Sequence, residues 1–260
     1  MTTDDLSVAA SELQFRTYLA LGLATAGTTH LQEPGFEGCY GSEDHPICNF
    51  AARLKLDPWA ANQIQDLALS RNSFNVYSAP GDLPARREVR HEILTRSGFK
   101  LAFTLQQMVS DGPPQFDPVP YEMAVGISAR TEAATFMGSQ FFAKQSSLFR
   151  RRVVDATIGA SELELYLVRP QNEVVAAHML VPHGNLVGLF NLCVRPQHQG
   201  RGWGTGIVSE IQRLTFEQGR IVTLQCEEQL VAWYSRLGFR STGVVDAYVL
   251  SDDRRIAIMN

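Results

Sequence analysis

One stretch constrains this chain more than any other. Leu186–Val194 is almost wholly apolar, as a buried strand requires, and the loop that follows is crowded with glycine at Gly200, Gly202, Gly204 and Gly206. From Trp203 onward Trp203, Ile207, Ile211 and Leu214 recur at i, i+4, i+8 and i+11, one apolar stripe along a helix that Gly219 ends. Ile221–Cys226 then reads as a short buried strand. Upstream, Tyr121–Ala129 has strand composition and Arg130–Ala160 holds two helical stretches. Glu162–Arg169 alternates Leu163, Leu165 and Leu167 against Glu162, Glu164 and Tyr166, the period of a strand. Val174–Val181 is a further strand, turned into Leu186–Val194 by Pro182–Asn185. A helix covers Gln229–Leu237, and Phe239–Leu250 with Arg254–Met259 makes a closing hairpin. The pattern predicts a mixed α/β (α+β) fold.

The clearest break is Asp111–Pro120, where Pro113, Pro114, Pro118 and Pro120 exclude both helix and central strand. This predicts an N-terminal domain over 1–112, an extended linker over 113–120 and a second domain over 121–260. The first segment reads as a helix near Ser7–Ala26, an irregular Gly-rich stretch to Ser42 and a strand near Ile47–Leu56. A helix over Asp57–Leu69, a strand at Phe74–Tyr77, a helix near Leu83–Thr95 and a strand at Phe99–Val109 follow. Arg96-Ser-Gly-Phe-Lys100 mirrors Arg236-Leu-Gly-Phe-Arg240, each pair following a helix and opening a strand, and each preceded by a short apolar strand. The order predicts a degenerate tandem duplication.

Composition narrows the function. In 260 residues, Lys and Arg total 23 against 27 Asp and Glu, net −4, which argues against a broad duplex nucleic-acid surface but leaves room for a local phosphate site. No apolar run is long enough to span a bilayer, and no basic segment precedes Tyr18–Ala26, so the expectation is a cytoplasmic protein that does not engage membranes. The 4 cysteines and 6 histidines are dispersed, without CxxC or HExxH, so no metal is expected and the thiols read as reduced.

The loop carries the chemistry. Gly200, Gly202 and Gly204 let the backbone bend tightly against a ligand. Their N–H groups and those of the first helical turn form a donor surface at the positive end of a helix dipole, suited to pyrophosphate. Arg195 and Arg201 add positive charge. The spacing fits neither GxGxxG nor GxxxxGK[ST]. It fits strand-V-x-P-x-x-Q-x-x-G-x-G-helix, with Val194, Pro196, Gln199, Gly202 and Gly204 at every defined position. This resembles the coenzyme A loop of the GNAT superfamily of acyl-CoA N-acyltransferases. Trp233-Tyr234-Ser-Arg-Leu-Gly238-Phe239 resembles the Y-x-x-x-G-F motif of the same superfamily.

The resemblance covers 121–260 and implies a GNAT fold, a mostly antiparallel sheet flanked by helices, with a truncated GNAT-like copy before it. It implies an acetyl-CoA-dependent N-acyltransferase in which the strands Leu186–Val194 and Ile221–Cys226 splay around the pantetheine. The backbone of Leu192, Cys193 and Val194 would bind the pantetheine amides, and Gln199, Gly200, Arg201, Gly202, Trp203, Gly204 and Thr205 would hold the pyrophosphate. Tyr234 matches the family's acid for the leaving thiolate, or else is an aromatic packing helix on sheet. No carboxylate occupies Phe190, Asn191 or Cys193, so the base falls to Glu227 or Glu228, which are alternatively solvated residues at a helix start. His178 either faces the acceptor or is structural, and Cys193 packs. The first segment has no glycine pair around Leu54–Trp59 and places Leu94 where Tyr234 stands, so that copy is expected to be silent. The acceptor would be a small-molecule or peptide amine and the protein a monomer or homodimer. The rival readings are a non-catalytic acyl-CoA sensor and an acyltransferase for another chain.

Overall fold

A computed structural model describes residues 2–71 and 73–252. The chain forms two compact units, Met1–Gln106 with Thr242–Asn260, and Gln107–Ser241. The first contains α1 (Thr3–Leu23), β1 (Thr28–Glu33), β2 (Phe36–Gly41), β3 (Phe50–Ala52), α2 (Pro58–Leu69), β4 (Asn75–Ser78), α3 (Arg87–Arg96) and most of β5 (Phe99–Ser110). The second contains β6 (Glu122–Met123), α4 (Gly126–Phe141), α5 (Ser147–Gly159), β7 (Glu164–Val168), β8 (Ala176–His183), β9 (Leu186–Val194), α6 (Trp203–Glu217), β10 (Ile221–Cys226) and α7 (Glu228–Arg236). β5 ends in the second unit from Gln107 on, and β11 (Arg240–Leu250) belongs to the first from Thr242 on.

The strand order is β1-β2-β3-β4-β11-β5 in the first unit and β5-β10-β9-β8-β7-β6 in the second. β3–β4 and β9–β10 are parallel, and β1–β2, β2–β3, β4–β11, β6–β7, β7–β8 and β8–β9 are antiparallel. Each unit is therefore a mostly antiparallel sheet with helices. Both repeat one order: a helix, three antiparallel strands, a helix, a strand parallel to the third, and a helix. Gly98 (φ 83°) and Gly238 (φ 89°) end the last helix of each copy in the left-handed region that glycine tolerates best.

The sequence reading and the structure part in several places. The stretch to Ser42 is the β1–β2 hairpin, not irregular chain. Its glycines serve close packing: a Cβ on Gly38 would stand 1.8 Å from the Phe50 carbonyl oxygen. Tyr121–Ala129 keeps only Glu122–Met123 as strand, because Gly126 turns at φ 80° to start α4. The domain boundaries read at 112/113 and 120/121 differ from the divisions after Gln106 and Ser241. β11 is the cause, since Asp246, Ala247 and Tyr248 pair with Ser78, Tyr77 and Val76 of β4. Arg254–Met259 lies outside the described residues.

The proline segment is no free spacer. The Val119 N–H donates to the Gly206 carbonyl at 2.9 Å, and a Cβ on Gly206 would lie 2.4 Å from Val119 Cγ2 and 3.3 Å from the Asp117 carbonyl oxygen. Glycine at 206 is what lets this segment lie on α6. Gly206→Ala is therefore expected to destabilise the protein by about 1–3 kcal/mol through overpacking. Adding Val119→Ala should recover part of that loss, both read from denaturant unfolding midpoints.

Candidate functional site

The site begins where a ladder ends. β9 and β10 share the rungs Leu186↔Ile221, Val187↔Val222 and Gly188↔Thr223, and their remaining residues continue unpaired with one another. On its other side β9 bulges. Its register against β8 shifts between the Ala177↔Cys193 and Met179↔Phe190 pairs, and Asn191 takes φ 50°, a conformation asparagine tolerates better than most residues. The Arg195 N–H donates to the Val175 carbonyl at 2.8 Å, toward the β8 side. Alternation along the strand turns the N–H of Val194 the other way, toward the gap beside β10, while Leu192 lies in the bulge itself. Cys193 faces β8: its thiol lies 3.6 Å from the Ala177 carbonyl oxygen, and burial pushes it up to about 12. Such a thiol is no nucleophile near neutral pH, in keeping with a packing role.

The loop leads from this gap to a helix end. Gln199 donates its side-chain amide to the Val194 carbonyl at 2.9 Å and its backbone N–H to Pro196 at 3.3 Å, so it braces the loop from within. Gly200 (φ 73°) and Gly202 (φ 82°) both require the left-handed region, and a Cβ on either would meet no atom within 4 Å. Open space therefore lies over the loop. Beneath it the N–H groups of Trp203, Gly204 and Thr205 form the first turn of α6, which has no partners for them inside the helix. A Cβ on Gly204 would lie 3.5 Å from the Trp233 ring, which fixes α7 against this turn. Arg195 pairs with Glu173 at 3.2 Å, while Arg201 is exposed. Donors, dipole and space together fit a pyrophosphate.

Tyr234 lies on α7 with its ring 5.5 Å from Phe239 and 4.5 Å from Trp233. Burial, reinforced by Cys226 at the end of β10, raises its phenol, so it is protonated near neutral pH. Among the described residues that phenol has no hydrogen-bond partner. Glu227 and Glu228 are exposed at the start of α7, where negative charge is favourable. Gln229 bonds Glu227, and both carboxylates help burial push the Cys226 thiol up to about 11. His178 is fully buried, stacked on Tyr166 at 5.1 Å and edge-on to Tyr121 at 4.6 Å, with no hydrogen-bond partner for either ring nitrogen. It is a packing residue, held neutral.

The first unit handles the same position oppositely. The Leu54 N–H bonds Asp82 Oδ1 at 2.9 Å, Leu83 N–H bonds the Leu54 carbonyl at 2.8 Å and Leu56 N–H bonds the Leu83 carbonyl at 2.8 Å. The chain beyond β4 is thus stitched to the segment leaving β3. At α2 the Asp57 carboxylate accepts from the Ala60 N–H at 2.7 Å, and Pro58 offers no N–H. An acidic cap stands where an anion would need donors.

Residues 161–241 match the family described as acetyltransferase (GNAT) domain. A GCN5-related N-acetyltransferase from Kribbella flavida superposes with a TM-score of 0.64 at 14% identity, over 93% of this chain and 95% of that one. A tandem GNAT protein from the clavulanic acid biosynthesis pathway gives 0.55 at 14% identity, over 95% and 96%. A GNAT-family acetyltransferase described as putative, from Novosphingobium aromaticivorans, gives 0.53 at 18%, over 85% and 91%. No curated protein matches. The fold is that of the structures it superposes on. Residues of the second unit thus match a GNAT acetyltransferase domain, and two of the solved structures, one of them a tandem GNAT protein, share the fold over more than nine-tenths of the chain. Among the described residues no helix is long and apolar enough to cross a membrane, and no cluster of three or more His, Cys, Asp or Glu is arranged to hold a metal.

His178 makes acid stability testable. Burial lowers it from 6.5 to about 3, so between those values the unfolded chain binds a proton that the folded one does not. Stability should fall as pH drops through that window, by about 1.4 kcal/mol per unit well below 6.5. His178→Phe should flatten this slope in unfolding midpoints measured at a series of pH values from neutral into that window.

Proposed function

We propose that the second unit transfers an acetyl group from acetyl-CoA to a primary amine by direct attack in a ternary complex. The observation that carries this is the open β9–β10 gap leading straight onto the glycine loop and the α6 N-terminus. Acetyl-CoA supplies the activated thioester. Gly200–Thr205 hold its pyrophosphate, and the N–H groups of Leu192 and Val194 take the pantetheine amides and the carbonyl oxygen, whose growing charge such fixed donors stabilise. Tyr234 gives a proton to the departing sulfur as the new C–N bond forms and the C–S bond breaks. The amine's own proton leaves to solvent, directly or through Glu227 or Glu228, since β9 carries no carboxylate. That absence is also what favours the rival reading, an acyl-CoA sensor without turnover. Thiol release from acetyl-CoA against a panel of amino acids, polyamines, aminoglycosides and peptides decides between them.

Two variants test the assignments. Gly202→Glu should abolish acetyl-CoA binding in calorimetric titration, because a side chain and a negative charge both enter the pyrophosphate site. Gly202→Asn, which tolerates the left-handed backbone, should retain measurable binding; loss in both would mean that strain, not charge, is at work. Tyr234→Phe should lower kcat by roughly tenfold or more with coenzyme affinity nearly unchanged. Unaltered turnover would reduce Tyr234 to the packing aromatic.

A further inference from the structure

The turn joining α4 to α5 and the first turn of α5 concentrate positive charge within a few residues of sequence. From Ala133 to Ala160 the sequence places Lys144, Arg150, Arg151 and Arg152 against Asp155 alone, in a chain of net charge −4. Elsewhere in this unit Arg169 pairs with Glu122 and Glu132, Arg195 with Glu173, Arg213 with Glu210 and Glu217, and Arg240 with Asp111. Among the described residues no carboxylate pairs with Lys144, Arg150 or Arg151. Arg150 spends its hydrogen bonds on the neutral Ala143 and Gln145 carbonyls, which leaves its charge uncompensated. Two large apolar side chains stand out beside these cations, Phe141 at 49% exposure and Leu148 at 58%.

The position of this corner gives it meaning. The Arg195 guanidinium lies 5.6 Å from the ring of Phe136 on α4, so the late part of α4 sits by the end of β9. The start of the pair is elsewhere: Arg130 holds the Thr157, Ile158 and Ala160 carbonyls at the far end of α5. The α4–α5 turn therefore projects at the end of the unit where β9 has left β10 and the gap opens.

We propose that the acceptor is a polypeptide segment rich in Asp and Glu, whose carboxylates lie on Lys144, Arg150 and Arg151 and whose apolar side chains cover Phe141 and Leu148 while its amine enters the gap. This rests on the amine-acylation reading above. Charge complementarity selects the occupant, and the apolar pair within the same corner selects a polypeptide over a small anion.

The test uses the full chain and a fluorescein-labelled peptide of alternating Glu and Leu around one Lys, with a counterpart carrying Gln for every Glu. Fluorescence anisotropy should show the Glu peptide binding about tenfold or more tightly than the Gln peptide, with the advantage shrinking as salt screens it. Lys144→Glu with Arg151→Glu should erase that difference while leaving acetyl-CoA affinity intact, and Arg151→Gln alone should reduce it. Equal binding of the two peptides overturns the proposal. Sedimentation with phosphatidylglycerol vesicles without Glu-peptide preference also overturns it, in favour of an anionic lipid surface. If the Glu peptide docks but neither it nor any other amine releases thiol from acetyl-CoA, the docking stands and the acylation reading falls. If other amines are acetylated and the Glu peptide is not favoured, the reverse holds.

Discussion

The structure depends on where one parallel ladder stops. Backbone groups inside a sheet are satisfied by their neighbours, so a strand pair that continues beyond its last rung leaves N–H and C=O groups that require another partner. β8 flanks β9 and the end of β5 flanks β10, so each strand is paired on its outer side while the gap lies between them. The bulge at Asn191 and the glycines at 200 and 202 serve the same end: each re-aims backbone that a regular strand or helix would keep to itself.

The first unit shows what closing such a gap takes. There the Asp82 carboxylate bridges the Leu54 and Ala79 N–H groups, and Ala79–Leu83 supplies the bonds that a ligand would otherwise make. Burial raises Asp82 to about 7, although the two N–H donors and Arg90 pull it back down. One repeated order of elements thus has two solutions. In one the missing partners come from the chain itself; in the other they are left for a molecule that binds.

Legibility followed locality. The glycine loop, the α6 stripe and β10 were readable because each is fixed by residues adjacent in sequence: Leu186–Val194, Trp203 and Ile221–Cys226 match the observed bounds. The β1–β2 hairpin was not, because Gly38 and Gly41 look like loop until Phe50 and Thr28 are seen to approach them across the sheet. The same holds for Gly206 and the proline segment. Of the site, the loop and Tyr234 came from motif, whereas the inward brace of Gln199, the β8-facing turn of Cys193 and the aromatic stack around His178 depend on register. A one-residue shift in register reverses which way every group points.

β5 and β11 carry the last consequence. Each strand leaves the helix that ends one copy and finishes in the other unit, β5 beyond Gln107 and β11 beyond Thr242. Each therefore supplies the neighbour of a parallel-paired strand: β11 lies beside β4, and β5 beside β10. The strand that bounds the open gap on one side is thus itself held by chain from before the proline segment. Met108, on that part of β5, is fully buried with its sulfur 3.6 Å from that of Cys226, at the end of β10 beside Tyr234. The second unit therefore begins not at the proline segment but at Gln107, with the end of the strand that follows α3.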